Sequence, residues 1–231
     1  MAEKKDVQFE EVQATDPGNK VVDRAKGFWE QYSRSIIYVG ALIILLFGGY
    51  FVYQNFYKEP REAKAADAIF HAQRYFAQDS LNLALNGDGQ HAGFEKVANS
   101  YSGTKAGNLA KFYAGICALQ LGDPTKAVKH LNGFSTDARE IQTIAYARLA
   151  DAYADLGKND DALKFYEKAA YHYPEHDGLS ADNLFRAGML AESMGKEDKA
   201  ASYYQEIKKK YPRTDKGYQI DKYLARVGVA D

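Results

Sequence analysis

Few residues in this sequence are able to do chemistry, and they do not fall into a known catalytic pattern. His172 and His176 are four residues apart, which suits a metal-binding pair on a helix, but Pro174 between them interrupts any helix there. The single cysteine, Cys117, lies in the apolar stretch "GICALQ", which is typical of a buried small side chain rather than a nucleophile. The other histidines stand apart from further ligand-type residues: His71, His91 and His130. We therefore predict no catalytic residues, no metal site, no cofactor and no small-molecule substrate.

The charge balance argues against a nucleic-acid partner. The 231 residues include 30 Lys and Arg against 31 Asp and Glu, and the basic residues do not gather into one stripe. One cysteine excludes an internal disulfide framework, and it is compatible with either a reducing or an oxidising compartment.

The part of the chain beyond residue 100 is built from repeats. Residues 143–174 place large, small and aromatic side chains at the spacing of a tetratricopeptide repeat: Tyr146, Leu149, Ala150, Tyr153, Ala162, Tyr166 and Pro174. A second copy follows 38 residues later: Leu184, Ala187, Gly188, Ala191, Ala200, Tyr204 and Pro212. A third lies 35 residues earlier: Ala114, Gly115, Ala118, Gly122, Ala127 and Leu131. From about residue 107 to 212 the chain thus resembles the tetratricopeptide-repeat (TPR) superfamily.

The turn between the helices of each repeat can also be placed. We expect Gly157 to end the first helix of the repeat at 143–174 and Asp160 to cap the second, with Gly195 at the corresponding turn of the next copy. Small residues at Ala150 and Ala162 would let the two antiparallel helices approach closely.

The resemblance implies a concave groove lined by the first helix of each repeat. Its positions carry over to these residues: Leu109, Phe112, Ile116, Leu119, Ile144, Asp151, Asp155, Phe185, Met189 and Glu192. TPR clamps that grip a terminal carboxylate use basic and amide side chains at such positions, whereas here they are apolar or acidic. We therefore expect the groove to take an apolar helix or extended segment with a basic edge. The alternative is that some of these residues only pack between repeats.

An apolar run precedes the repeats. The eighteen residues from Ile36 to Tyr53 contain no charge, and about twenty such residues in a helix span the hydrocarbon core of a bilayer. Aromatic residues flank the run on both sides, as at membrane interfaces. The run is too long and lies too far from the N-terminus for a cleaved signal peptide. We predict a membrane anchor that is retained, with a small-residue face for a neighbouring helix at Gly40, Ala41, Gly48 and Gly49.

The predicted fold class is all-α, with a single N-terminal transmembrane helix followed by a TPR α-solenoid. The predicted layout is a disordered tail at 1–19, a juxtamembrane amphipathic helix at 20–34, the transmembrane helix at 35–57 and a TPR domain at 58–231. Within that domain we predict a degenerate repeat at about 61–102, clear repeats at about 107–137, 143–174 and 181–212, and a capping helix at about 215–228. Lys and Arg flank the span equally on both sides, so charge does not fix its orientation.

A short tail, one retained span and a C-terminal TPR domain together resemble the YfgM family of ancillary Sec-translocon subunits in Gram-negative bacteria. The resemblance implies an inner-membrane protein with a cytoplasmic N-terminus and periplasmic repeats. It also implies the SecYEG channel and the membrane-anchored chaperone PpiD as partners in handling emerging polypeptides. The alternatives are an envelope assembly factor, for cytochrome c maturation or cell-wall synthesis, that binds protein segments in the groove, and an adaptor of reversed topology.

Overall fold

The computed structural model describes residues 17–229 of the chain, and these are almost entirely helical. The chain divides into two structural units, Met1–Tyr57 and Lys58–Asp231. Most of the predicted tail, residues 1–16, lies outside the described residues. Within the part that is described, the β-structure is limited to an isolated bridge between Gly87 and Ala92. The predicted all-α fold class is confirmed.

The first unit contains one long helix, α1 (Pro17–Val52), and most of a π-helical turn that follows it (Tyr53–Lys58). The sequence predicted an amphipathic helix to residue 34 and a separate span from residue 35. No glycine or proline lies near that boundary to end a helix, and the structure runs straight through it. The apolar side chains of α1 from Ile36 to Val52 are exposed throughout. By length and composition α1 is able to cross a membrane.

The second unit opens with three helices where the sequence predicted one degenerate helix pair: α2 (Glu59–Ala77), α3 (Leu81–Asn86) and α4 (Phe94–Ser100). Asp79 adopts a left-handed conformation, φ 56°, directly after α2, and the chain turns there into the extra short helix. The loop that follows is held by Asp88, which accepts hydrogen bonds from the backbone N–H of Gln90 and His91 and from the hydroxyl of Tyr75. These hydrogen bonds do not depend on the spacing of apolar residues, so the hydrophobic pattern of the sequence did not predict the loop.

Three helix pairs follow in the stretches assigned to the clear repeats. They are α5 (Lys105–Gln120) with α6 (Pro124–Asn132), α7 (Arg139–Asp155) with α8 (Asn159–His172), and α9 (Asp177–Ser193) with α10 (Glu197–Lys210). A 3₁₀ turn (Gly217–Gln219) leads into α11 (Ile220–Arg226), which packs against α10 at the C-terminal end. Each helix contacts mainly the next one along the chain, as expected of an α-solenoid.

The turn within each pair requires glycine. Gly122, Gly157 and Gly195 take φ values of +77°, +70° and +69°, a region that side chains with a Cβ rarely adopt. The predicted role of Gly157 and Gly195 is confirmed. The predicted cap at Asp160 is wrong, because α8 begins at Asn159 and the Asp160 carboxylate instead binds Lys196 Nζ at 2.7 Å. Ala150 and Ala162 are fully buried, as their role in close helix packing requires.

The core of the second unit consists of two apolar clusters. The first runs from α2 to α7 and includes Phe94, which is fully buried against the rings of Phe76 and Tyr113. The second runs from α7 to α11. Helix α7 belongs to both, because Leu149 lies in the first cluster and its neighbour Ala150 in the second.

A buried histidine lies in α6, beside the first cluster. The side chain of His130 is 4% exposed, and its Nε2 lies 3.8 Å from Glu95 Oε1, too far for a hydrogen bond. Burial lowers the pKa of His130, and the carboxylate of Glu95 only partly opposes that effect. Lys126 and Lys129 on the same helix add like charge and lower the pKa further. His130 is therefore neutral in the folded protein at neutral pH.

This histidine makes the stability of the second unit depend on pH. A histidine whose pKa is lower in the folded state contributes its full stabilisation at pH values above its ordinary pKa of about 6.5. That contribution is lost as the pH falls from there through the pKa of the folded state. We expect the midpoint of urea unfolding, measured on the full chain in detergent micelles, to fall between pH 7 and pH 5. His130→Gln should reduce this slope, and an unchanged slope in the variant would contradict the assignment.

Candidate protein-binding groove

The predicted groove positions on α5 contact the first core cluster. Phe112 is 7% exposed and lies in the first core cluster, where its ring contacts that of Phe134 at a centroid distance of 5.1 Å. Leu109, Ile116 and Leu119 are half-buried and pack against the same cluster. Phe112 is therefore part of the core, whereas a groove role for the three half-buried positions stays a prediction.

The predicted positions on α7 differ from one another. Ile144 is half-buried, Asp155 is exposed, and Asp151 is the centre of a hydrogen-bonded network. Asp151 Oδ1 accepts a 2.5 Å hydrogen bond from the hydroxyl of Tyr166 on α8. Burial raises the pKa of Tyr166, and the bond to Asp151 raises it further, so the phenol stays a donor at neutral pH. This bond ties the two helices of the repeat together at the groove.

Two arginines neutralise the charge of Asp151. Arg148 Nη1 lies 2.9 Å from Asp151 Oδ2, and Arg186 Nη1, from the next repeat, lies 3.3 Å from Asp151 Oδ1. Arg186 also binds Asp182 through Nε at 2.8 Å. Asp151 thus joins α7, α8 and α9.

The predicted positions on α9 face the C-terminal helix. Phe185 is half-buried and packs edge-on against Tyr223 at 4.6 Å between ring centroids, while Met189 is 39% exposed. Glu192 accepts hydrogen bonds from the guanidinium of Arg226 and from the hydroxyl of Tyr204, the latter at 2.7 Å. The Arg226 guanidinium lowers the pKa of Glu192, so this carboxylate is ionised and paired at neutral pH.

Two of the three acidic positions predicted for the groove are paired with arginines, and the third, Asp155, is exposed. Arginine side chains form ion pairs with both Asp151 and Glu192. The sequence analysis did not identify these arginines. Two of these arginines could have been singled out from the sequence, because Arg148 and Arg186 occupy the same position in successive repeats, two residues after Tyr146 and Leu184. The arginines weaken the repulsion of a carboxylate expected from Asp151 and Glu192, and the predicted binding preference of the groove stays a prediction.

The cysteine and four of the histidines considered from the sequence have the following surroundings. Cys117 is fully buried, and burial raises the pKa of its thiol to about 12. His172 ends α8, and His176 accepts the backbone N–H of Leu179 at 3.2 Å. His71 is not isolated as predicted, because its ring stacks on that of His91 at 3.6 Å. In the described part of the chain, no group of three or more His, Cys, Asp or Glu residues could hold a metal ion.

The predicted packing face of the span stays a prediction. A Cβ added to Gly40, Gly48 or Gly49 would meet open space, so nothing within the described residues packs closely on these glycines. An open depression beside Gly40 is lined by Ser35 and by aromatic and branched apolar side chains: Phe28, Tyr32, Ile36, Val39 and Ile43. Ala41 lies next to it in α1.

Stacked helix pairs joined by glycine turns define a TPR-type α-solenoid. A family model described as a tetratricopeptide repeat-like domain matches residues 26–223, and the chain belongs to this family. Among solved structures, the crystal structure of MamA protein is 18% identical, with a TM-score of 0.55 over 73% of this chain and 84% of that one. The TPR-like repeats of a putative kinesin light chain from Podosopora anserina are 14% identical, with a TM-score of 0.53 over 72% and 86%. No curated protein matches the chain.

Proposed function

We propose that the chain is a non-enzymatic, membrane-anchored scaffold that binds protein segments in its TPR groove. The observation that carries the proposal is the pairing, in one chain, of a helix able to cross a membrane with a TPR-type solenoid. Such solenoids present extended concave surfaces to protein partners. Paired charges, half-buried apolar side chains and the exposed Met189 give the groove the mixed character of protein-binding surfaces.

At a finer level, we propose that it acts as an accessory subunit of the Sec protein translocon. The layout of tail, span and repeats supports this, because it resembles that of the YfgM family. In this proposal the N-terminus is cytoplasmic, the span crosses the bacterial inner membrane and the repeats are periplasmic. SecYEG and a PpiD-like anchored chaperone are the partners, and emerging polypeptide is the client.

Affinity purification tests the partners. The tagged full chain, extracted from membranes in mild detergent, is expected to bring down SecY and a PpiD-like protein. A photo-crosslinking residue at Met189 should in addition form adducts with newly exported polypeptide. The matched control is the same residue at Tyr171, which is similarly exposed but lies on α8, a second helix of a pair.

The outcomes separate the proposal from its alternatives. Recovery of neither SecY nor a PpiD-like protein would overturn the translocon assignment. Capture of a single protein tail without SecY would instead support an envelope assembly factor. Equal crosslinking from Met189 and Tyr171 would argue that clients do not use the groove at all.

A further inference from the structure

The helix pairs of the second unit are joined along two edges. The turns within the pairs form the turn edge: 121–123, 156–158 and 194–196. The loops between the pairs form the inter-pair edge: 101–104, 133–138, 173–176 and 211–216. Polar contacts join neighbouring segments of the inter-pair edge. Asn108 Nδ2 at the start of α5 donates to the backbone oxygen of Ser135 at 2.8 Å, and Arg139 Nη2 at the start of α7 donates to Glu175 Oε2 at 2.6 Å.

The chain enters the second unit at the inter-pair edge. Lys58 is the first residue of this unit, and α2 follows it directly. In the first turn of α2, Arg61 Nη2 donates to the backbone oxygen of Ser100 at 3.0 Å, and Glu62 Oε1 accepts the backbone N–H of Lys105 at 3.0 Å. Ser100 and Lys105 flank the first loop of the inter-pair edge. The residue that connects the second unit to α1, the helix able to cross a membrane, therefore lies at this edge.

The last segment of the inter-pair edge is strongly basic. Residues 207–219 contain one acidic residue, Asp215, and five basic ones: Lys208, Lys209, Lys210, Arg213 and Lys216. Lys208, Lys210 and Lys216 form ion pairs with nearby carboxylates. Lys209 and Arg213 are exposed, and neither has an ion-pair partner among the described residues. Their charge is therefore available to a ligand outside the chain.

An exposed aromatic side chain lies next to this basic segment. Tyr218, in the 3₁₀ turn before α11, is 75% exposed, the highest value among the large apolar side chains described in the second unit. Tyrosine rings are enriched at membrane–water interfaces, where the ring lies at the level of the headgroups. The segment thus combines positive charge with an amphipathic ring, and both suit the surface of an anionic membrane.

The turn edge has the opposite charge. Counted with the last turn of the helix before it and the first turn of the helix after it, it carries four lysines and seven acidic residues: Asp123, Asp155, Asp160, Asp161, Glu192, Glu197 and Asp198. An anionic surface attracts the basic segment of the inter-pair edge and repels the turn edge. The charge distribution therefore favours one face of the unit for such a surface.

We infer that the inter-pair edge binds anionic phospholipid headgroups of the bilayer that α1 crosses. Lys209 and Arg213 bind the headgroups by charge, and the ring of Tyr218 lies among them. Weak binding by each residue suffices, because the connection at Lys58 holds the second unit close to the same bilayer. This inference rests on the membrane anchor in the proposed function, and it adds a lipid-binding role for the second unit itself.

Fluorescence quenching of a single tryptophan tests the inference. Trp29 is the only tryptophan of the chain, so Trp29→Phe/Tyr218→Trp moves the only indole to the inter-pair edge. The full chain with these substitutions is placed in nanodiscs that include a lipid with a nitroxide on its headgroup. We expect the fluorescence to fall about twofold when the discs contain phosphatidylglycerol, and to change little when phosphatidylcholine replaces it. Raising the salt concentration should restore the fluorescence.

The matched control places the indole at the turn edge. Leu121 is 44% exposed and lies directly after α5, in the first turn of this edge. The full chain with Trp29→Phe/Leu121→Trp should be quenched little in both kinds of disc. Equal quenching of the Tyr218→Trp and Leu121→Trp chains would overturn the assignment to the inter-pair edge.

Charge variants of the Tyr218→Trp chain assign the contact to particular residues. Each lysine or arginine near an anionic surface strengthens binding about fivefold, so Lys209→Gln/Arg213→Gln should lower the ratio of bound to unbound edge by more than about tenfold. The quenching by phosphatidylglycerol discs should then be lost. The control Lys158→Gln/Lys164→Gln removes the same charge from exposed positions at the turn edge and on α8, and should leave the quenching intact.

Trp29 of the unmodified chain separates failure of the anchor from failure of the edge. It precedes the apolar run, is 55% exposed and is expected to be quenched in both kinds of disc. An unquenched Trp29 would overturn the membrane anchor and the proposed function with it. A quenched Trp29 together with an unquenched Tyr218→Trp chain would overturn only the lipid contact. Quenching of the Tyr218→Trp chain that is equal in both discs, or that survives Lys209→Gln/Arg213→Gln, would also overturn only that contact.

Discussion

Replacing Phe94 by alanine is expected to lower the free energy of unfolding of the second unit by about 3–5 kcal/mol. The side chain is fully buried where α2, α4 and α5 meet, and its ring contacts those of Phe76 and Tyr113. Alanine removes the aromatic contacts and leaves a cavity that three helices cannot close without moving. Thermal unfolding of the full chain in detergent micelles, followed by far-ultraviolet circular dichroism, should show a midpoint about 10 °C lower.

The matched control is Phe70→Ala. Phe70 lies on α2 as well, but its side chain is 54% exposed, so its loss should change the free energy of unfolding by less than about 0.5 kcal/mol. Equal effects of the two substitutions would show that Phe94 is not part of a closely packed core.

Replacing Gly188 by valine is expected to have the second large effect. It should lower the free energy of unfolding by about 3 kcal/mol. A Cβ at this position would lie 2.3 Å from Cε1 of Tyr204, a ring that is itself fully buried between α9 and α10. The ring cannot move aside without cost, because its hydroxyl donates to Glu192, which in turn binds Arg226 of α11. Urea unfolding of the variant, compared with the unmodified full chain, measures the loss.

A second substitution separates overpacking from other causes. Tyr204→Leu removes the atoms nearest to the new Cβ, so Gly188→Val should cost less in that background than in the unmodified chain. Gly178→Ala is the control for adding a Cβ to a helix, since the nearest atoms there are 3.7 Å away or more. Additive effects of Gly188→Val and Tyr204→Leu would contradict the close approach of α9 and α10.

The fold was predictable where the sequence repeats itself. The small residues and turn glycines of the repeats recur at fixed spacing, and each reports a packing or backbone requirement that the structure contains, as at Ala150, Gly157 and Gly188. The region before them was harder, because the turn at Asp79 and the loop around Asp88 depend on local hydrogen bonds rather than on hydrophobic spacing. The juxtamembrane helix predicted at 20–34 and the span predicted from residue 35 are one continuous helix in the structure, because no proline lies between them to break it.

The groove was less predictable, because a position in a repeat does not determine what surrounds it. Phe112 occupies a groove position in the sequence pattern and a core position in the structure, where Phe134 covers it. The residue type of Asp151 predicted a negative charge in the groove. The electrostatic effect of that charge depends on Arg186, which lies 35 residues away in the chain.

Helix α7 supplies Leu149 to one apolar cluster and Ala150 to the other, so neither half of the solenoid can lose its order without uncovering one side of this helix. In a linear array each unit is stabilised by its neighbours, and the outermost helices have neighbours on one side only. Fraying therefore starts at α2 and α11 and reaches α7 last.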